Sequence, residues 1–142
     1  MNSSPNTDCP LCQQDGGTVL WRNDKLRIVL AAEPGYPGFC RVIWQAHRAE
    51  MTDLPTEDRQ YLMEVVFAVE QSLREIAQPN KINLASLGNV VAHLHWHVIP
   101  RYRDDRHFPN AIWGQSVRDN AGDHPVDIRQ LADALSRHLS SR

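Results

Sequence analysis

Two periods organise the apolar positions of this chain. Between Glu57 and Ala77, Tyr61, Leu62, Val65, Val69, Leu73 and Ile76 recur at spacings of three and four, the period of an amphipathic helix. Thr56 is the expected N-cap, Glu57 and Asp58 fall in the first turn where carboxylates suit the helix dipole, and Pro79 lies just past the exit. A second stripe, Ile128, Leu131, Leu135 and Leu139, predicts a C-terminal helix from about Val126. The remaining apolar positions lie in short runs of β-favouring residues. Residues 18–22 and 26–30 flank Asn23-Asp24 and predict a hairpin, and residues 39–44 follow Pro34-Gly35-Tyr36-Pro37-Gly38 as a third strand. Residues 81–85 and 90–100 flank a Gly88-Asn89 turn and predict a second strand pair. Strands surrounding one long helix make α+β the economical class.

A length of 142 residues suits a single domain spanning residues 1–142, with about eight flexible residues at its start. At 42% hydrophobic and 23% charged residues, the chain reads as soluble and globular rather than disordered. A formal net charge of -2 supplies no general positive field for a DNA or RNA polymer, so a phosphate-bearing ligand has to be held locally. No apolar stretch reaches the roughly 18 residues of a membrane span, and the start MNSSPNTDCP lacks the basic-then-apolar order of a secretory signal. The expected address is therefore the cytoplasm, with no membrane partner. Three cysteines, two of them spaced as Cys9-Pro-Leu-Cys12, fit a reducing compartment better than a disulfide framework. The pair reads as metal ligands or as ordinary thiols; a redox role is disfavoured because no βαβ pattern accompanies it.

The chemistry concentrates in Val91-Ala92-His93-Leu94-His95-Trp96-His97-Val98-Ile99-Pro100. On a strand, His93, His95 and His97 would share one face about 6–7 Å apart, while Leu94, Trp96 and Val98 pack the other. Pro100, with no N–H to donate, is expected to end the ladder. A structural sheet face would be apolar, and a solvated one would carry Thr, Lys or Glu rather than three groups titrating near neutrality. Two functional readings remain. The imidazoles hold a catalytic Zn²⁺ with an open water position, or one of them attacks phosphorus while its neighbours orient it and protonate the leaving group.

The run from His93 to Arg101, together with Val42-Ile43-Trp44-Gln45-Ala46-His47 and the Pro-Gly loop before it, resembles the histidine triad (HIT) superfamily of nucleotide hydrolases and transferases. The likeness extends from about Cys9 to about Trp113. It implies an antiparallel sheet with a long central helix and a C-terminal helix, paired as a homodimer. It further implies that His95 forms a nucleotidyl-histidine intermediate, that His97 stands near the leaving group, and that His93 orients the nucleophile by hydrogen bonding. Asn83 falls about where the family places a phosphate-contacting Asn, and Asn89 lies in the stretch where it places a Gln. Some members hold a structural zinc through a set matched here by Cys9, Cys12, His47 and His93. Such a metal fastens the N-terminal segment to the sheet, and no organic cofactor is implied.

Three positions depart from the family pattern. Ala31 replaces an acidic residue that holds ribose hydroxyls, with Glu33 nearby on another register; Phe39 replaces a histidine; and Val90 replaces a hydroxyl residue. The nucleophile survives these changes, while several handles for a standard purine nucleotide are lost. The sequence therefore predicts a HIT-like enzyme acting at the α-phosphate of a nucleoside phosphate ester, dinucleoside polyphosphate or phosphoramidate. Its alternatives are a hydrolase with His93, His95 and His97 on catalytic zinc, and a non-catalytic nucleotide-binding adaptor.

Overall fold

The computed structural model describes residues 6–140. The expected flexible start falls mostly on residues 1–5, outside the described residues; residues 6–8 are exposed. Among the described residues, β1 (Thr18–Arg22), β2 (Leu26–Leu30), β3 (Cys40–Trp44), β4 (Lys81–Ala85) and β5 (His95–Arg101) form one antiparallel sheet in the order β1-β2-β3-β5-β4. A single turn, α1 (Pro10–Gln13), precedes the sheet; α2 (Thr56–Ala77) links β3 to β4, and α3 (Ile128–Leu139) closes the chain. No helix among the described residues is long and apolar enough to cross a membrane.

Strand alternation gives the sheet two unlike faces. Ile28, Val42 and Trp96 are aligned across β2, β3 and β5, as are Leu30, Cys40 and Val98. This face packs against Leu62, Val65, Val66, Val69 and Leu73 of α2, and α3 adds Leu131, Leu135 and Leu139 to the same core. Full burial of each such side chain stabilises the fold by about 1.5–3 kcal/mol. The opposite face carries Val29, Arg41, Ile43, His95 and His97, so the sheet separates a greasy layer from a polar one.

The helices and first three strands lie close to where the periodicities put them, with local differences. Pro55 rather than Thr56 is the N-cap of α2, and no side chain caps that end. At the far end Gln78 adopts a left-handed conformation (φ 48°) before Pro79. The main revision concerns the last strand, which begins at His95 instead of residue 90. Upstream of it the backbone bonds irregularly: Leu94 N–H donates to the Arg48 carbonyl (2.7 Å) while the Leu94 carbonyl accepts from Trp44 N–H (3.1 Å). Pro100 does not end the strand. The Arg101 carbonyl accepts from Asn80 on the β4 side, so Pro100 points the other way, where pairing with β3 has already ended at Cys40–Val98.

The α3 stripe is expected to be essential to stability. Leu135→Ala removes a fully buried side chain, with an expected loss of about 2–5 kcal/mol in urea unfolding.

Candidate active site and metal centre

The N-terminal segment is held on the polar face by a buried arginine. Arg27 of β2 donates to the carbonyls of Asp15 (2.8 Å), Leu11 (2.8 Å) and Gln14 (3.0 Å), and also to Gln45 Oε1. This pins the turn in which Cys12 and Gln13 N–H both donate to the Cys9 carbonyl. The two thiols thereby meet two imidazoles. Cys9 Sγ lies 3.4 Å and Cys12 Sγ 3.5 Å from His93 Nδ1; Cys12 Sγ is 3.3 Å from His47 Nδ1, and the two Nδ1 atoms are 3.2 Å apart. All four donor atoms lie within 4.8 Å of one another, a grouping that can hold a metal ion. His93 Nε2 is 2.6 Å from the Trp44 carbonyl, which only accepts, so Nε2 carries the proton and Nδ1 turns its lone pair to the cluster.

That arrangement overturns the picture of three imidazoles side by side. His93 is fully buried, lies before the strand, and has both ring nitrogens engaged. Among the described residues, His93, His95 and His97 do not form a metal-ligand group. The expected hydrogen bond to the middle histidine does exist, but the carbonyl of His93 makes it, at 2.6 Å from His95 Nδ1. A carbonyl accepts only, so His95 holds its proton on Nδ1 and keeps an unprotonated Nε2.

His95 and His97 line a cavity of about 340 Å³ with Asn89, Val90, Val91 and Trp113. Gly88, at φ 76°, makes the turn on its rim that a side chain would strain. The buried ring of His97 meets His95, Phe39 and Trp113 edge-on at centroid distances of 4.9, 5.5 and 4.9 Å. Its Nδ1 is buried with no protein partner. Burial, followed by the charges on His95 and Arg41, pushes its pKa down to about 4, so the ring is neutral near pH 7.

Behind the cavity, a buried ion pair orders the loop that carries Trp113. Asp105 accepts from Arg101 Nε (2.8 Å) and Nη2 (3.0 Å), and from the backbone N–H groups of Tyr102, His107 and Phe108. Burial raises its pKa, but the Arg101 hydrogen bonds and the Tyr102 and Phe108 N–H groups outweigh this and hold it at about 2. Asp105 therefore does not belong to a solvated loop, as its neighbours Arg103, Asp104 and Arg106 do. Arg101 also donates to Asn83 Oδ1 (2.7 Å) and the Asn110 carbonyl (2.8 Å), so its guanidinium is occupied. Of the two Asn residues singled out in the sequence, Asn83 is half-buried against Arg101 and Asn89 is exposed at the cavity. The sequence gives no sign of which Asp of the Asp104-Asp105 pair is buried. Tyr36 of the Pro-Gly loop is buried and bonded to His107 Nδ1 at 2.6 Å.

The family model of the HIT domain matches residues 13–104. The chain belongs to the HIT domain family. In the curated comparison it is 26% identical over 121 residues to an AP-4-A phosphorylase of Mycobacterium tuberculosis (strain CDC 1551 / Oshkosh), the alignment covering 81% of this chain. It spans 62% of that relative's length. Among solved structures, the HIT fold of a histidine triad protein from Bradyrhizobium japonicum superposes with a TM-score of 0.71 at 26% identity, over 87% of this chain and 91% of the other. A Zn-bound histidine triad family protein from Mycobacterium smegmatis shares the fold, with a TM-score of 0.64 at 21% identity over 95% and 98% of the two chains.

His97 and Asp105 of this HIT site act in separate pH windows. His97, depressed from 6.5 to about 4, contributes stability that is full above pH 6.5 and is lost as pH falls towards 4, because the unfolded chain takes up the proton first. Asp105, depressed from 3.8 to about 2, keeps its contribution above 3.8 and loses it towards 2. Urea unfolding from pH 7 to 4 is expected to show a shallower decline for His97→Asn than for the wild type.

Proposed function

We propose that this chain is a nucleotide hydrolase or nucleotidyltransferase that acts at the α-phosphate through a covalent intermediate on His95. The observation that carries the reading is the 2.6 Å bond from His95 Nδ1–H to the His93 carbonyl, which fixes the tautomer with a free Nε2 lone pair beside the cavity. In the first step Nε2 forms a bond to phosphorus as the bond to the leaving group breaks, the departing oxygen or nitrogen taking the electron pair. His97, neutral and buried next to it, offers a ring N–H to that atom. In the second step water or phosphate attacks the same phosphorus and the N–P bond breaks, returning the electron pair to Nε2, while an attacking water gives up its proton to solvent. Asn89 at the rim and the Nδ2 of Asn83, whose oxygen is taken by Arg101, serve as phosphate contacts. Dinucleoside polyphosphates lead the substrate classes because of the relative named as an AP-4-A phosphorylase.

His95→Ala is expected to lower kcat/KM by roughly 10⁴-fold or more with an unchanged melting curve. Acid-labile label from a radioactive dinucleoside polyphosphate is expected on the wild type and absent from the variant. Turnover retained by His95→Ala overturns the covalent role; saturable nucleotide binding without turnover points to the adaptor reading.

The metal we assign to the Cys9, Cys12, His47 and His93 set is structural zinc. Tetrahedral Zn²⁺ with sulfur at about 2.3 Å and nitrogen at about 2.0–2.1 Å sets two nitrogens about 3.3 Å, sulfur and nitrogen about 3.5 Å and two sulfurs about 3.8 Å apart. The sulfur–nitrogen separations of 3.3 to 3.5 Å and the nitrogen–nitrogen separation of 3.2 Å suit that polyhedron. When bound, zinc supplies a cross-link between the N-terminal turn and the sheet, while His93 keeps its other nitrogen on Trp44. The purified protein is expected to contain about one zinc per chain by elemental analysis. Cys12→Ser is expected to reduce that content and lower Tm by roughly 10 °C.

A further inference from the structure

One half-buried cation on the polar face of the sheet is left without a matching anion. Arg27 and Arg101 each place several guanidinium hydrogen bonds on carbonyls, carboxylates or amides. Arg41 makes one, from Nη1 to the Gly16 carbonyl at 3.2 Å. Among the described residues it has no ion pair; Glu33 acts on it only through its field. Five N–H donors in a fork match a phosphoryl group, and burying such a cation without a counter-charge is costly.

Its position relates it to the chemistry. Arg41 pairs directly with His97 across β3 and β5, and His95 pairs with Ile43, so Arg41 lies diagonally from the nucleophile at a backbone distance of about 7–8 Å. Phe39 is close to both: its ring centroid is 5.3 Å from the Arg41 guanidinium carbon and 5.5 Å from the ring of His97. The Phe39 face steadies the guanidinium without neutralising it.

We propose that Arg41 is the second anion contact of this site, binding a phosphoryl group other than the one His95 attacks. The inference rests on the nucleotidyl-transfer reading for its place in the reaction, and on the unmatched guanidinium for the contact itself. The phosphoryl group comes from the substrate's own polyphosphate chain or from free phosphate acting as acceptor. Both present the same tetrahedral oxyanion.

Calorimetric titration with inorganic tripolyphosphate tests the contact without relying on turnover. Arg41→Gln is expected to weaken binding by about tenfold or more, with Arg41→Lys, which keeps the charge, falling between the variant and the wild type. Equal affinity in Arg41→Gln, or no uptake of tripolyphosphate by the wild type, overturns the proposal. Steady-state kinetics separate the sources. A raised KM for inorganic phosphate assigns Arg41 to the acceptor, and a raised KM for the dinucleoside polyphosphate assigns it to the substrate chain. Tripolyphosphate binding that depends on Arg41, in a protein that turns over no nucleotide, supports the anion contact and refutes the nucleotidyl-transfer reading.

Discussion

Every polar group of His93 except its own N–H faces a partner that matters to the site. Its Nε2 proton is fixed on Trp44, its Nδ1 lone pair on the cysteine cluster, and its carbonyl on the Nδ1 proton of His95. One residue thus joins the anchoring of the N-terminal turn to the tautomer of His95. A shift of the backbone at His93 would carry its carbonyl with it and take from His95 the partner that holds its proton on Nδ1. The tight bonding of the 93–95 segment is therefore a condition for chemistry as well as a packing detail.

This explains why the triad could be read from the sequence while its geometry could not. Alternation of His with Leu, Trp and Val is what a strand produces, and for His95, Trp96, His97 and Val98 the structure agrees. The same alternation continues to His93, but Leu94 exchanges its backbone bonds with Trp44 and Arg48, where β3 has run out into a loop. Where a partner strand ends is a tertiary fact that period-two patterning does not encode. The long helix was legible because about six turns of apolar spacing leave few alternatives, and the core that α2 and α3 share follows from it. Asp105 was not legible. Beside Asp104 it has the same local composition, and only the return of the chain onto Arg101 separates a buried ion pair from an exposed acid.

Electrostatics on the polar face depend on burial more than on net charge. The chain carries a formal charge of -2 overall, yet Arg27, Arg41 and Arg101 all lie on or against this one face with His95 and His97. Two of the three arginines are saturated by internal acceptors and hold the framework. What remains for a ligand is a neutral His97 and the free donors of Arg41. A neutral imidazole beside His95 avoids the repulsion that two adjacent imidazolium rings would bring.

The three departures from the family pattern act together. Ala31 and Phe39 belong to one buried cluster with Tyr36, Ile99 and Ile112, so positions at which the resemblance leads one to expect polar groups here complete an apolar wall. Val90 is almost wholly exposed at the cavity rim, near the half-exposed Leu87 and Trp113. An acid and a histidine could not be restored to positions 31 and 39 singly, since each would enter that wall without a partner. What the chain offers nearby instead is an apolar rim of Leu87, Val90 and Trp113 and the guanidinium of Arg41 over the Phe39 ring.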